Sequence, residues 1–205
     1  GEGTRKIPSP PMGEGRVRGR SMAYGVALSQ AWAELETLTK EKNHTIRFLN
    51  DQYGVDLDKR TIVSLSSNVP AKNHLSILIL HYLSQKLRKV PQPTGEWISF
   101  KELDGGLVYY SVFRKRVLDP IVRKYGKDLK GFVSELTKRF AAKEVKQGDA
   151  SIVLEAFDGI PMLITLWQGD EEFPPEANLL FDRSITGIFC TEDAVISAEI
   201  VASLI

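Results

Sequence analysis

The sequence predicts a single α+β domain in which short antiparallel strands, an N-terminal meander and a C-terminal hairpin, pack against several α-helices. Two observations support this prediction: apolar residues recur at helical spacing in several segments, and they alternate at strand spacing in others. The 205 residues suffice for one core, and a composition of 42% hydrophobic and 26% charged residues is typical of globular chains. We find no internal repeat and no boundary within the domain.

Residues 1–21 differ in composition from the rest of the chain. Many of them are Gly or Pro, and few carry a sizeable apolar side chain. A segment with so little apolar surface does not offset its ordering entropy. We therefore expect a tail over residues 1–21 that is disordered or artificially added, a natural start at Met22, and a folded domain over residues 22–205. A basic tail that binds nucleic acid is the functional alternative.

The first half of the domain begins with an amphipathic helix over residues 26–42. Three short strands between Ile46 and Leu65 form a meander, because apolar residues alternate and polar triplets separate the runs. Residues 71–89 predict a central helix that is apolar on most faces and basic at its end.

Residues 97–140 contain a short helical turn, which Ser99 can cap, and two further helices. Asp119-Pro120 kinks or divides the first of these, since the residue before proline avoids the helical conformation. Asp128 can cap the second helix.

The last third of the chain returns to strands. Two apolar runs flank Asp158-Gly159, which is a strong signal for a hairpin. Pro161 lacks a backbone donor, so its part of the hairpin is expected at an edge or a bulge. A terminal helix is expected from Thr191 to Leu204.

Composition narrows the functional classes. The longest apolar run, residues 75–83, is shorter than the roughly 20 residues of a membrane span. The single cysteine, Cys190, excludes a disulfide framework and a cysteine-built metal site within the chain. We therefore expect a soluble, cytoplasmic protein without a membrane partner.

The charges are unevenly distributed. Residues 22–148 carry 21 basic and 13 acidic side chains, whereas residues 149–205 carry one basic and 11 acidic side chains. Attraction between the two parts explains this pattern, so no nucleic-acid partner is expected.

Sequence motifs for catalysis are sparse. The chain has no phosphate-binding glycine loop, no nucleophile elbow and no EF-hand loop. Cys190 follows the apolar sequence GIF and is interpreted as packing, with a thiol–base pair formed with a distant histidine as the alternative. His81 lies in the apolar central helix, where a hydrogen-bonded core histidine is the simpler interpretation. An acid–base or metal site is the alternative, since a buried neutral imidazole beside carboxylates serves either purpose.

The stretch LWQGDEEFPPEANLLFDRS, residues 166–184, is the strongest candidate site. Asp170, Glu171 and Glu172 follow the end of a strand, where loops often carry functional groups. Asp182 closes the stretch and can also cap the short helix that follows. Three interpretations stay open for these carboxylates: neutralisation by basic helices and water, a cation or hard-metal site, or a proton-transfer pair.

Several stretches resemble the family known as domain of unknown function 3786: LSILILHYL, GEWISFKELDGGLVYYSVFRKRV, LWQGDEEFPPEANLLFD and TEDAV. The likeness covers Met22 to the C-terminus. The family has no assigned activity, so the resemblance implies no catalytic residues. Some relatives join this domain to a cysteine-rich iron–sulfur segment, which implies an accessory role in anaerobic iron–sulfur or corrinoid metabolism. With one cysteine in this chain, any cluster would belong to a partner.

The expected function is the binding of a small ligand, a cofactor or a protein partner, with carboxylates that contact cationic groups or a metal and aromatic residues that form an apolar wall. One alternative is an enzyme in which a loop carboxylate and His81 share a cleft. Another is a homodimer or other homo-oligomer with an exposed apolar patch beside the loop. The sequence identifies neither a cofactor nor a metal. The candidate binding residues are Asp170, Glu171, Glu172, Asp182, Trp97, Tyr110 (or Tyr109) and His81.

Overall fold

The structure is a computed structural model that describes the backbone of residues 17–205 and the side chains of residues 24–205. It confirms the predicted α+β class. The helices are α1 (Val17–Leu38), α2 (Asn73–Arg88), α3 (Gly106–Phe113), α4 (Asp119–Tyr125), α5 (Leu129–Phe140), α6 (Ile185–Ile188) and α7 (Thr191–Leu204). The strands are β1 (Asn43–Phe48), β2 (Asp51–Asp56), β3 (Thr61–Ser64), β4 (Trp97–Ser99), β5 (Lys143–Val145), β6 (Ala150–Phe157), β7 (Ile160–Trp167) and β8 (Glu176–Asp182).

The predicted domain boundary lies near the start of α1. Residues 1–16 of the predicted tail lie outside the described residues, and α1 begins at Val17, so the expected boundary at Met22 falls inside this helix. None of the helices described over residues 17–205 is long and apolar enough to cross a membrane.

The predicted meander is confirmed as a three-stranded antiparallel sheet in the order β1-β2-β3. Its alternating apolar side chains are buried, among them Ile46, Val55 and Ile62. The Arg47 guanidinium joins this sheet to the hairpin, because it donates to the carboxylates of Asp158 at 2.6 Å and Glu155 at 2.9 Å. Basic and acidic parts of the chain therefore attract each other here, as the charge pattern predicted.

The second sheet is also antiparallel, with the order β4-β8-β7-β6-β5. The predicted hairpin is β6 and β7, and Gly159 in its turn has a φ of +75°, which a side chain would strain. Pro161 lies opposite Glu155, where the register shifts, so the predicted bulge is present. Residues 176–182, part of the stretch expected as a loop, form β8 and pair with both β7 and β4.

The helices cover the sheets and supply much of the core. Helix α2 is buried from Leu75 to Ser84, as expected of the central helix. The Asp128 carboxylate accepts a hydrogen bond from the Gly131 N–H at 2.8 Å and caps α5 as predicted. Pro120 lies at the start of α4, and a π-helical turn (Arg114–Leu118) joins α3 to α4. Asp119 keeps a helical conformation (φ −61°, ψ −39°), so the irregularity expected at Asp119-Pro120 takes the form of this π-helical turn just before the proline.

Helix α3 is set close against the 3-10 turn that precedes it (Phe100–Glu102), which Ser99 and Glu102 close with a capping box. Gly106, the first residue of α3, has no room for a side chain, because an added Cβ would lie 1.9 Å from the Phe100 carbonyl oxygen. This close approach fixes where α3 starts.

Candidate functional site

The acidic loop, residues 168–175 between β7 and β8, is held by bonds within itself. The Asp170 carboxylate accepts hydrogen bonds from the N–H groups of Phe173 at 2.7 Å and Glu172 at 2.8 Å. The bond from Phe173 and then that from Glu172 hold the pKa of Asp170 below its ordinary value. Asp170 thus shapes the loop through its Oδ1 atom.

The three carboxylates of the acidic loop face solvent. Asp170, Glu171 and Glu172 are exposed, and none of them forms a salt bridge with any described residue. The loop borders a cleft of about 320 Å³ together with Gly126 and Lys127. Within residues 24–205, no group of three or more His, Cys, Asp or Glu side chains is arranged to hold a metal ion.

Asp182 lies at the other end of β8 from the acidic loop, about 20 Å away at roughly 3.3 Å per strand residue. It is 1% exposed and pairs with Trp97 across β4 and β8. Its carboxylate accepts hydrogen bonds from the N–H groups of Thr94 at 2.9 Å, Gly95 at 2.7 Å and Ser184 at 2.9 Å. Asp182 therefore joins the segment before β4 to the turn after β8.

The pKa of Asp182 reflects this position. Burial raises the pKa of the carboxyl, but the hydrogen bonds from Thr94, Ser184 and Gly95 outweigh burial and leave the pKa below its ordinary value. The folded structure thus stabilises the ionised form of the Asp182 carboxyl.

His81 belongs to a different cluster, in which two side chains share one carboxylate oxygen. The His81 Nδ1 atom lies 2.8 Å from Asp193 Oδ2, and the Cys190 thiol donates to the same oxygen at 3.2 Å. Asp193 is in the first turn of α7, and Cys190 is the residue just before that helix. The cluster brings together the chain's one cysteine and a histidine from α2. The sequence interpretation favoured packing for each of them over a thiol–base pair.

The cluster is largely closed to solvent. His81 is 7% exposed and Asp193 is 2% exposed. The His81 Nε2 atom is buried without a hydrogen-bond partner among the described residues. Cys190, by contrast, is partly exposed, and it is the one member of the cluster that lines a cavity.

Cys190 opens into a cavity of about 300 Å³ between α3, α6 and α7, which we call the α3–α7 cavity. The Thr191 hydroxyl ties two of its walls together by donating to the Asp104 carbonyl at 2.8 Å. His81 and Asp193 do not line it. Its lining residues are Leu103, Asp104, Tyr109, Ile185, Thr186, Phe189, Cys190, Thr191, Glu192 and Ala194.

The start of α3 forms an exposed apolar rim beside this cavity. Leu107 is 71% exposed, Val108 80% and Tyr109 49%, and these three are consecutive in the chain. Tyr110 points elsewhere: it packs beside Phe113 with ring centroids 6.2 Å apart, and the Lys101 ammonium lies 4.1 Å from the centre of its ring. Tyr109, named as the alternative to Tyr110, is the tyrosine that lines the cavity.

The structure thus distributes the candidate residues over several places. It brings Trp97 and Asp182 together, keeps Asp170, Glu171 and Glu172 in the acidic loop, and joins His81 to Asp193 instead of a loop carboxylate. The sequence interpretation missed Asp104, Glu192 and Asp193. The spacing of Cys190 and Asp193, three residues apart at a helix start, was the available signal for their contact.

Comparison with known proteins gives one result. Residues 28 to 203 match the model of the family described as domain of unknown function DUF3786, so the chain belongs to that family. No curated protein and no solved structure matches the chain.

Proposed function

We propose that this member of the DUF3786 family is a binding protein whose ligand or partner occupies the α3–α7 cavity. The observation that carries the proposal is the composition of this cavity: apolar walls from Leu103, Ile185 and Phe189 surround a thiol and lie beside two carboxylates. Binding sites commonly combine mostly apolar walls with a few polar groups in this way, and they occupy about 300 to 1,000 Å³.

The Cys190–Asp193–His81 cluster supports binding more than catalysis. The thiol donates to the same carboxylate oxygen that lies against the imidazole. A cysteine nucleophile instead has its thiol next to the imidazole, which the carboxylate orients from the other side. The remaining imidazole nitrogen is buried away from the cavity lining. In this proposal the cluster fixes the wall of the cavity and the start of α7.

Binding at the acidic loop stays a competing prediction, as do a homodimer, a cytoplasmic location and the absence of a nucleic-acid partner. The accessory role in iron–sulfur or corrinoid metabolism that the resemblance implies also stays a prediction. The α3–α7 cavity is favoured over the acidic loop because the loop's carboxylates are solvated and Asp170 is bonded to its own loop.

The single cysteine makes the proposal directly testable by disulfide tethering. A library of small disulfide-bearing fragments is equilibrated with the protein under mild reducing conditions, and labelling of Cys190 is read by intact mass. If the cavity binds, a few fragments with apolar bodies label Cys190 to several times the library average and resist added reductant.

A matched variant supplies the background. Combining Cys190→Ser with Ser134→Cys moves the one thiol to an exposed position on α5, outside the cavity. The fragments that label Cys190 above the library average are expected to label the thiol at position 134 of this variant no more than the average fragment does. Equal labelling of the library at both thiols would show that the cavity does not bind, and the proposal would then be abandoned.

A further inference from the structure

We infer that the occupant of the α3–α7 cavity is a segment of a partner protein in which apolar side chains lie next to lysine or arginine. This inference rests on the proposed function and adds the chemical class of the partner. It follows from two features of the surface, the apolar rim on α3 and the pair of carboxylates beside it.

The apolar rim extends past what a small molecule in the cavity would cover. Leu107 and Val108 are among the most exposed large apolar side chains in the part of the chain with described side chains, yet neither lines the cavity. Contiguous exposed apolar side chains mark protein-interaction surfaces. Their position between Asp104 and Tyr109, which do line the cavity, makes rim and cavity one continuous surface. A polypeptide can place one side chain in the cavity and others on the rim.

The charges beside this surface are negative and have no cationic partner among residues 24–205. Asp104 and Glu192 both line the cavity, and neither forms a salt bridge with any residue whose side chain the structure describes. The nearest cation in sequence, Lys101, lies over the ring of Tyr110 instead. Several other carboxylates of the described chain are paired, as in Glu34 with Arg88 at 2.6 Å, whereas those of the acidic loop are also unpaired. Two unpaired carboxylates on an apolar surface are complementary to a cationic, apolar segment.

The helix dipole of α7 works against a cation, because α7 begins at the cavity and its N-terminus carries partial positive charge. The first turn already contains two carboxylates, Glu192 and Asp193, which offset that charge. An anionic occupant would have to approach Asp104 and Glu192 together. The balance of the described charges therefore favours a basic segment.

A second copy of the chain fits this surface less well. In a two-fold dimer the same patch faces itself, so Asp104 and Glu192 of both subunits would be brought close together. Unpaired like charges at an interface are costly. A partner that supplies the opposite charge avoids this repulsion.

The test uses a random 12-residue peptide library displayed on phage and selected against the full chain. We expect the enriched peptides to share lysine or arginine next to leucine, isoleucine or phenylalanine. Their affinity should fall with ionic strength, because exposed charge pairs are screened by salt. The affinity of these peptides should be roughly 3- to 20-fold lower for the variant with Asp104→Asn and Glu192→Gln, as expected for the loss of two exposed ion pairs. The Leu107→Ser variant should bind the peptides with an affinity about 5-fold lower or more.

Matched variants show whether the effects are local. Asp170→Asn with Glu172→Gln removes two exposed carboxylates from the acidic loop, and Val26→Ser removes an exposed apolar side chain from α1. Both are expected to bind the peptides as the unaltered chain does. Peptides without basic residues, peptides weakened only by the acidic-loop change, or no enrichment would each overturn the inference. Sedimentation could also overturn the inference. If the unaltered chain is a dimer and the Leu107→Ser variant is a monomer, the surface binds a second copy of the chain.

The two proposals fail in different ways. Selective tethering at Cys190 without basic peptides would leave the cavity as a binding site and reject only the class of the partner. Loss of tethering selectivity would reject the cavity itself.

Discussion

Replacing Asp182 by alanine tests whether this carboxylate belongs to the fold or to a binding site. The change removes the acceptor of three backbone N–H groups, those of Thr94, Gly95 and Ser184. Thr94 and Gly95 are exposed, so water can replace the lost acceptor, and each hydrogen bond is taken at its net contribution of about 0.5–1.5 kcal/mol. The expected loss in the free energy of unfolding is about 1.5–4.5 kcal/mol, against the roughly 5–15 kcal/mol of a whole domain.

Urea denaturation followed by circular dichroism measures this loss. Asp170→Ala is the control, because Asp170 also accepts backbone hydrogen bonds but is exposed and bonds only within its own loop. The Asp182→Ala midpoint should fall far below that of the unaltered chain, and the Asp170→Ala midpoint should stay close to it. A loss of less than about 1 kcal/mol for Asp182→Ala would refute the assigned role, since three lost hydrogen bonds contribute more than that even at the low end of the range.

The same carboxylate makes stability depend on pH. The pKa of Asp182 is lower in the folded chain than its ordinary value near 3.9, so the unfolded state binds the proton more readily. The contribution of Asp182 to stability is complete above its pKa in the unfolded chain, and it is lost as pH falls through its pKa in the folded chain. Stability of the unaltered chain should therefore drop in acid more steeply than that of Asp182→Asn. Parallel pH profiles for the two proteins would contradict this account.

Three further predictions concern other parts of the molecule. Gly106→Ala should lower the free energy of unfolding by more than about 2 kcal/mol, because its Cβ would overlap the Phe100 carbonyl oxygen. Gly187→Ala, where an added Cβ meets nothing within 4 Å, should have little effect or stabilise slightly, and equal effects of the two changes in urea denaturation would contradict the packing of α3. Asp193→Asn should speed alkylation of Cys190 by iodoacetamide at pH 7, because the carboxylate that accepts the thiol proton disfavours the thiolate. An unchanged alkylation rate in intact-mass measurements would mean that Asp193 does not control the thiol.

The parts of the fold that the sequence predicted are those in which neighbours along the chain determine the structure. The hairpin at Asp158-Gly159 needs only a turn that accepts a positive φ and two apolar runs, and the cap at Asp128 needs only the N–H three residues later. Pro161 was placed at a bulge for the same reason, since its missing donor is a local property.

Strand β8 was missed because its carboxylates hid its alternation. Leu179 and Phe181 are buried at every second position, but Glu176 and Asp182 bound the strand and suggested a loop. Asp182 is buried because it accepts donors from Thr94 and Gly95, which are almost ninety positions away in sequence. No local pattern reveals such donors.

The candidate site depended still more on long-range contacts. His81 is a buried histidine beside a carboxylate, but its partner is Asp193, 112 positions away, and not one of the loop acids with which the sequence interpretation combined it. The contact of Cys190 with Asp193 is local, whereas the cavity that Cys190 lines requires α3 and α6 to meet α7. Assembly of distant elements therefore created the site that we propose.

Hydrogen–deuterium exchange with the strongest peptide from the phage selection tests the central claim most directly. If the partner lies on the α3–α7 cavity, backbone amides of α3 and the first turn of α7 should exchange more slowly with the peptide bound, and those of residues 168–175 should not change. Slower exchange confined to residues 168–175 would place binding at the acidic loop and contradict the account.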